Sequence, residues 1–258
     1  GGGRRLVTFS ADGLGVVWCA ASGRMLRTLR GGHGAGAAVY ALRAFDDGDR
    51  LVTIGTDRQG VVWNARIGEV LVRLRLGGPH RVVRITPQGD KIVTGACDLT
   101  SDPAVVWNAT DGAVLHRLQQ EGGAIRLLEL SPCGRKAVTT NFFNGIVIWD
   151  IVAGAEERRI ALTAGWLSGL VVAPGNGNVI TSMDARIFVW SGATGGLLAS
   201  LQLNPTILSI SLLAHGKQLV VFTGWSVYIL DAASGEPVRE FGFQGYDART
   251  AVVGGGDV

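Results

Sequence analysis

A short phrase returns six times along this chain, and its spacing limits what the chain can fold into. Its fullest form is Gly60-Val61-Val62-Trp63-Asn64-Ala65-Arg66-Ile67-Gly68: apolar residues, a tryptophan, then a glycine five positions further on. Other copies are Val16-Val17-Trp18 with Gly23, Val105-Val106-Trp107 with Gly112, Ile146-Val147-Ile148-Trp149 with Gly154, and Phe188-Val189-Trp190 with Gly195. A sixth, Val227-Tyr228-Ile229-Leu230 with Gly235, has leucine in the tryptophan place. The anchors follow one another at intervals of 45, 44, 42, 41 and 40 residues. A period of that length marks supersecondary units that cannot bury both faces alone and must stack on their neighbours.

The second repeat shows what one unit contains. Val39-Tyr40-Ala41-Leu42 is a short apolar run, and Asp46-Asp47-Gly48-Asp49 is a turn. Leu51-Val52-Thr53-Ile54 and Val61-Val62-Trp63 read as β-branched strands separated by the turn Thr56–Gly60. Val70–Leu74 follows the anchor glycine as a fourth strand. The remaining repeats align with it. Second strands recur at Leu6-Val7-Thr8, Ile92-Val93-Thr94, Ala137-Val138-Thr139, Val179-Ile180-Thr181 and Leu219-Val220-Val221. Fourth strands recur at 25–29, 114–118, 156–160, 197–201 and 237–241. First strands are expected at 39–42, 82–85, 125–130, 170–172 and 207–212. No window carries an apolar stripe at helical spacing. The expected fold is all-β, built from four-stranded antiparallel units over residues 1–258 as a single domain.

Composition removes several function classes. Charged residues make up 17% of the 258 and the net charge is +3, with no basic run beyond pairs such as Arg4-Arg5 and Arg158-Arg159. Nucleic-acid binding needs a basic stripe, so a nucleic-acid partner is not expected. No apolar run reaches the length of a membrane span. Cys19, Cys97 and Cys133 stand alone without metal-ligand spacing, which points to a reducing, cytoplasmic or otherwise intracellular setting. Cys19, beside an anchor tryptophan, is expected to pack. The chain begins at Gly1 and reads as a piece of a longer protein.

The phrase Ser131-Pro132-Cys133-Gly134, the apolar-apolar-threonine strand behind it and then Trp149-Asp150 resemble the WD-repeat β-propellers, as does Gly32-His33 ahead of Val39. The resemblance covers essentially the whole chain, with anchors Trp18, Trp63, Trp107, Trp149, Trp190 and Leu230. Only Trp149 is followed by Asp; Trp63 and Trp107 are followed by Asn. It implies six blades, with the first blade closed by the C-terminal strand: Thr250–Val253 would pair with Leu6–Phe9. A slice of a longer ring or array is the alternative. The resemblance also implies a structural hydrogen-bond network in each blade, best matched by His33, Thr53, Asp57 and Trp63. His33 stands two residues further from its strand than that pattern has.

No catalytic set emerges. His33, Thr53 and Asp57 could be mistaken for a hydrolase triad, but a threonine on a regular strand lacks the exposed elbow and oxyanion donors of a nucleophile. The four histidines, 33, 80, 116 and 215, show no paired metal spacing. Asp231–Glu236 resembles the repeat phrase of quinone-dependent propeller dehydrogenases, whose docking tryptophan follows the glycine. Here the anchor precedes it, so no cofactor is expected. The first strands are nearly all apolar, with Arg43, Arg84, Arg126 and Glu129 as exceptions; such a channel could take an anion but offers little acid–base chemistry. The expected role is therefore a non-enzymatic platform for other proteins or peptides. Its candidate contacts are the places where a rim loop departs from the repeat: Phe142, Phe143, Trp166, Trp225 and Asp102 in the insertion 99–103. The alternative is a propeller enzyme or anion-binding propeller working through its channel.

Overall fold

The computed structural model describes residues 5–98, 104–120, 123–141, 145–162, 167–204, 206–213 and 216–242. Within them every regular element is a strand and every pairing that is resolved is antiparallel. No helix is long and apolar enough to cross a membrane. The first sheet has three strands in the order β1 (Arg5–Phe9), β2 (Gly15–Cys19) and β3 (Met25–Leu29). The second runs β4 (Val39–Ala44), β5 (Arg50–Gly55), β6 (Gln59–Asn64), β7 (Glu69–Arg75). The third runs β8 (His80–Ile85), β9 (Lys91–Ala96), β10 (Ala104–Asn108), β11 (Val114–Leu118). The fourth is β12 (Ile125–Leu130), β13 (Lys136–Asn141), β14 (Gly145–Asp150), β15 (Ala155–Ala161). The fifth is β16 (Leu167–Val172), β17 (Val179–Met183), β18 (Arg186–Trp190), β19 (Leu197–Gln202), and the sixth is β20 (Ile207–Leu212), β21 (Gln218–Thr223), β22 (Ser226–Asp231), β23 (Pro237–Gly242). Each is a simple meander, as short strands joined by tight turns produce.

The chain forms two compact units, Gly1–Leu128 with Ile151–Ala155 and Glu129–Asp150 with Glu156–Val258. In the first unit neighbouring sheets share cores. Leu51, Val61 and Trp63 of the second sheet pack with Val17 and Leu29 of the first. Val52, Ile54, Val62 and Leu74, on the opposite face of the second sheet, pack with Val83, Ile92, Val105 and Trp107 of the third. Alternation along each strand thus serves two cores, which is why these strands read as continuous apolar runs. In the second unit Ile180, Ile187 and Val189 of the fifth sheet pack against Ile207, Leu219, Val221 and Leu230 of the sixth. Leu230 is fully buried there, taking the tryptophan's place with an aliphatic side chain.

The spacing from tryptophan to glycine has a local cause. The residue after the anchor closes the turn: its carbonyl accepts the glycine N–H, at 2.8 Å for Gly68 on Asn64 and 2.9 Å for Gly112 on Asn108. Its side chain caps the same turn, Asn64 Oδ1 accepting from the N–H of Arg66 and Ile67, and Asp231 Oδ1 from those of Ala233 and Ser234. Asn and Asp serve equally as turn acceptors, so Trp-Asn and Trp-Asp are one signal. The glycine needs φ near +85° at Gly68 and +76° at Gly112. It also lies on the preceding sheet: a Cβ at Gly68 would meet Thr28 O at 3.2 Å, and one at Gly112 would meet Val72 Cγ1 at 2.7 Å. A Cβ at Gly23, in the first sheet, would meet nothing within 4 Å among the described residues.

Two expectations change. The first strands β8 and β16 begin earlier than expected, at His80 and Leu167, because pairing continues across a bulge. Cys19 is half-exposed and not packed away. The expected closing strand Thr250–Val253 lies outside the described residues.

Candidate functional site

The strand register builds one motif five times. Leu51 pairs with Trp63 and Thr53 with Val61, so Trp63 and Thr53 share a face as diagonal neighbours within reach of the indole. The indole N–H donates to the threonine hydroxyl at 2.8 Å for Trp18 and Thr8, 2.8 Å for Trp63 and Thr53, and 2.9 Å for Trp107 and Thr94. Trp149 and Thr139 lie at 2.8 Å, and Trp190 and Thr181 at 3.0 Å.

The second sheet extends the pair into a four-residue network. His33 Nε2 is 2.7 Å from Thr53 Oγ1, and His33 Nδ1 is 3.1 Å from Asp57 Oδ1. Asp57 also accepts from the N–H of Gly34 and Gln59. Burial acts to raise the Asp57 pKa, but these N–H bonds and His33 outweigh it and hold the carboxyl below its ordinary range. The two extra residues ahead of Val39 are absorbed by a turn in which Ala37 N–H donates to Gly34 O, so His33 still reaches Thr53. Asp12 takes a different part in the first sheet: it accepts from Ser10 and from Leu14 N–H, fixing the β1–β2 turn.

The third sheet departs from this arrangement. His80 lies within β8 at 0% exposure, and neither ring nitrogen has a hydrogen-bond partner. Burial pushes its pKa down to about 4, against a smaller upward pull from the charge on Asp98.

This geometry is structural in character. Thr53 is fully buried and its hydroxyl is engaged by Trp63 and His33, so no substrate reaches it. Among the described residues no cluster of three or more His, Cys, Asp or Glu could hold a metal ion. Of the rim candidates, Phe142, Phe143, Trp166 and Asp102 lie outside the described residues. Trp225 sits in the β21–β22 turn with 59% of its surface exposed. Two hydrogen bonds tie that turn: Ser226 N–H donates to Thr223 Oγ1 at 3.1 Å, and the Thr223 hydroxyl donates back to Ser226 O at 3.0 Å. Neither a protein-family model nor a curated protein matches the sequence.

Sequence reasoning missed a repeated bulge. Near the start of β4, β8, β16 and β20 the pairing skips one residue: Tyr40, Arg81, Ser168 and Leu208. Tyr40 and Leu208 are consequently exposed although they belong to apolar strands. The side chains differ in kind, so only alignment of the repeats against a strand register reveals the position.

Proposed function

We propose that the chain is a WD-repeat-like β-propeller domain that acts as a non-catalytic intracellular platform, holding other proteins or peptides on its loop rim. The observation that carries this reading is Trp225, a large aromatic side chain in the open on a turn too constrained to fold it away. Aromatic side chains of that kind supply most of the binding energy at protein interfaces, because they bury much area at little cost in rotamer entropy. The Thr53 hydroxyl, buried and engaged by Trp63 and His33, serves the scaffold and not a nucleophile's role. The proposal includes six blades, with Thr250–Val253 completing the first beside Leu6–Phe9. Supporting it, among the described residues the first sheet has one strand fewer than the others, and β1 lies at its edge.

The test places a photo-crosslinking p-benzoylphenylalanine at Trp225 and, as a control, at exposed Val152 in the β14–β15 turn. A specific adduct at 225 alone, with the crosslinked protein also lost from co-purification by the separate Trp225→Ala variant, is the expected result. No adduct, or the same adducts at both positions, refutes the platform reading.

A further inference from the structure

The residue nine places after each anchor is Arg27, Val72, His116, Arg158, Ala199 or Arg239. Each lies on the last strand of its sheet in chain order. Register confirms the correspondence: Arg27, Val72, His116 and Ala199 each pair with the residue before the anchor, Val17, Val62, Val106 and Val189. Three of these side chains latch onto the anchor turn of the following sheet. Arg27 Nε donates to Arg66 O at 2.6 Å, and Arg158 Nη1 donates to Thr194 O at 3.1 Å. His116 Nε2 lies 3.0 Å from Val152 O. The two arginine stems run beside the following anchor glycine: a Cβ at Gly195 would meet Arg158 Cδ at 2.8 Å, and one at Gly68 would meet Arg27 Cδ at 3.8 Å.

Within the second unit, the fifth sheet offers only the methyl group of Ala199 at this place. A Cβ at Gly235 would meet Val189 Cγ2 at 3.3 Å and Ala199 Cβ at 3.7 Å. The short side chain leaves a cleft of about 120 Å³ between β19 and the β22–β23 turn. Val189, Ala199 and Leu201 give it an apolar floor, and exposed Ser200, Ser234 and Glu236 give it a polar rim. Val72 also lacks a donor, but its bulk fills the place, since a Cβ at Gly112 would meet Val72 Cγ1 at 2.7 Å. Ser234 stands four residues after its anchor, as does Thr194, whose carbonyl receives Arg158. Glu236 stands six residues after its anchor, as does Glu69 in the sheet whose turn receives Arg27.

We propose that this cleft binds a guanidinium group brought by another molecule, on the arginine side chain of a peptide or on free arginine. The ligand follows the course that Arg158 takes between the fourth and fifth sheets. Its methylene stem lies on Ala199 and Val189, its fork donates to the Ser234 carbonyl, and Glu236 meets its charge. A guanidinium is more weakly hydrated than an ammonium and presents a planar fork of donors, so a half-apolar cleft favours arginine over lysine. The cleft lies at the opposite end of β22 from Trp225, and its assignment does not depend on the platform reading.

The test is a titration of the whole chain, labelled with 13C at its alanine and valine methyl groups and followed by NMR. The probes are N-acetyl-arginine methylamide, the matching lysine and citrulline derivatives, and free arginine. Saturable shifts at the Ala199 and Val189 methyl groups are expected, with the arginine derivative bound about tenfold more tightly than the neutral citrulline derivative. Tighter binding of the blocked derivative than of free arginine assigns the cleft to a peptide side chain, and the reverse order assigns it to the free amino acid. Ala199→Arg supplies the guanidinium from within the chain and should abolish binding while the other methyl signals stay in place. Glu236→Gln, at an exposed position, should weaken binding about fivefold, whereas Glu69→Gln should leave it unchanged. Equal binding of the arginine and citrulline derivatives, undiminished binding by a folded Ala199→Arg variant, or shifts confined to methyl groups away from Ala199 and Val189 overturns the proposal.

Discussion

Acid should loosen the third sheet through one residue. His80 is fully enclosed in β8 without a partner for either ring nitrogen, and its pKa falls from an ordinary 6.5 to about 4. The folded state therefore binds this proton more weakly than the unfolded state does. Between about pH 6.5 and pH 4 the unfolded chain takes up a proton that the folded chain refuses, so stability drops as pH falls through that window. At about 1.4 kcal/mol per pKa unit, the full loss amounts to roughly 3–4 kcal/mol below pH 4. His80→Leu, similar in volume and unable to titrate, removes this contribution. It also relieves two desolvated, unpaired nitrogens, a gain on the order of 1–3 kcal/mol at neutral pH. Urea denaturation followed by tryptophan fluorescence at pH 7.5, 6, 5 and 4.5 reads both effects as the difference between variant and parent. Carboxylates common to both proteins cancel in that difference. Equal pH slopes for the two proteins, or a variant less stable than its parent at pH 7.5, refutes the reasoning.

Other expectations follow from the same geometry. Thr53→Val removes the buried hydroxyl that Trp63 and His33 share and should cost roughly 3 kcal/mol in urea denaturation, whereas Thr8→Val, serving the half-exposed Trp18, should cost under about 1 kcal/mol. Gly112→Ala places a Cβ against Val72 and Arg73 at a positive φ and should lower stability by about 2–4 kcal/mol. Gly23→Ala, with the same backbone sign and open space, should cost only the ~1 kcal/mol of the left-handed conformation. Trp225→Ala should leave the melting temperature within about 1 °C, since an exposed side chain contributes little to folding.

The repeated phrase made most of the strands legible, because its three components answer local demands. A turn must be capped by Asn64, Asn108 or Asp231, a glycine must adopt a positive φ, and an indole must lie diagonal to a threonine. Those constraints act within some fifteen residues, and a sequence records them directly. The His33 network was harder to read, since a short turn at Gly34–Ala37 hides the spacing on which the expectation relied. His80 and the bulges at Tyr40 and Arg81 were not legible. A bulge is a property of pairing between two strands and demands no particular residue, as Tyr, Arg, Ser and Leu at the one position show. The exposed Leu26, Leu71, Leu115, Leu198 and Val238, on the last strands of their sheets, were equally silent, because an apolar residue in a strand reads as core until the neighbouring sheet is known.

The anchor glycine gives the array a polarity. Gly68 rests on the first sheet's last strand and Gly112 on the second's, while among the described residues nothing lies within 4 Å of a Cβ at Gly23. Each turn therefore settles on a surface completed earlier in the chain. During synthesis a new sheet meets a finished seat as it emerges, and damage to one seat is felt downstream before it is felt upstream. A substitution at Gly68 or Gly112 should therefore loosen its own sheet from the sheet before it and leave that earlier sheet intact.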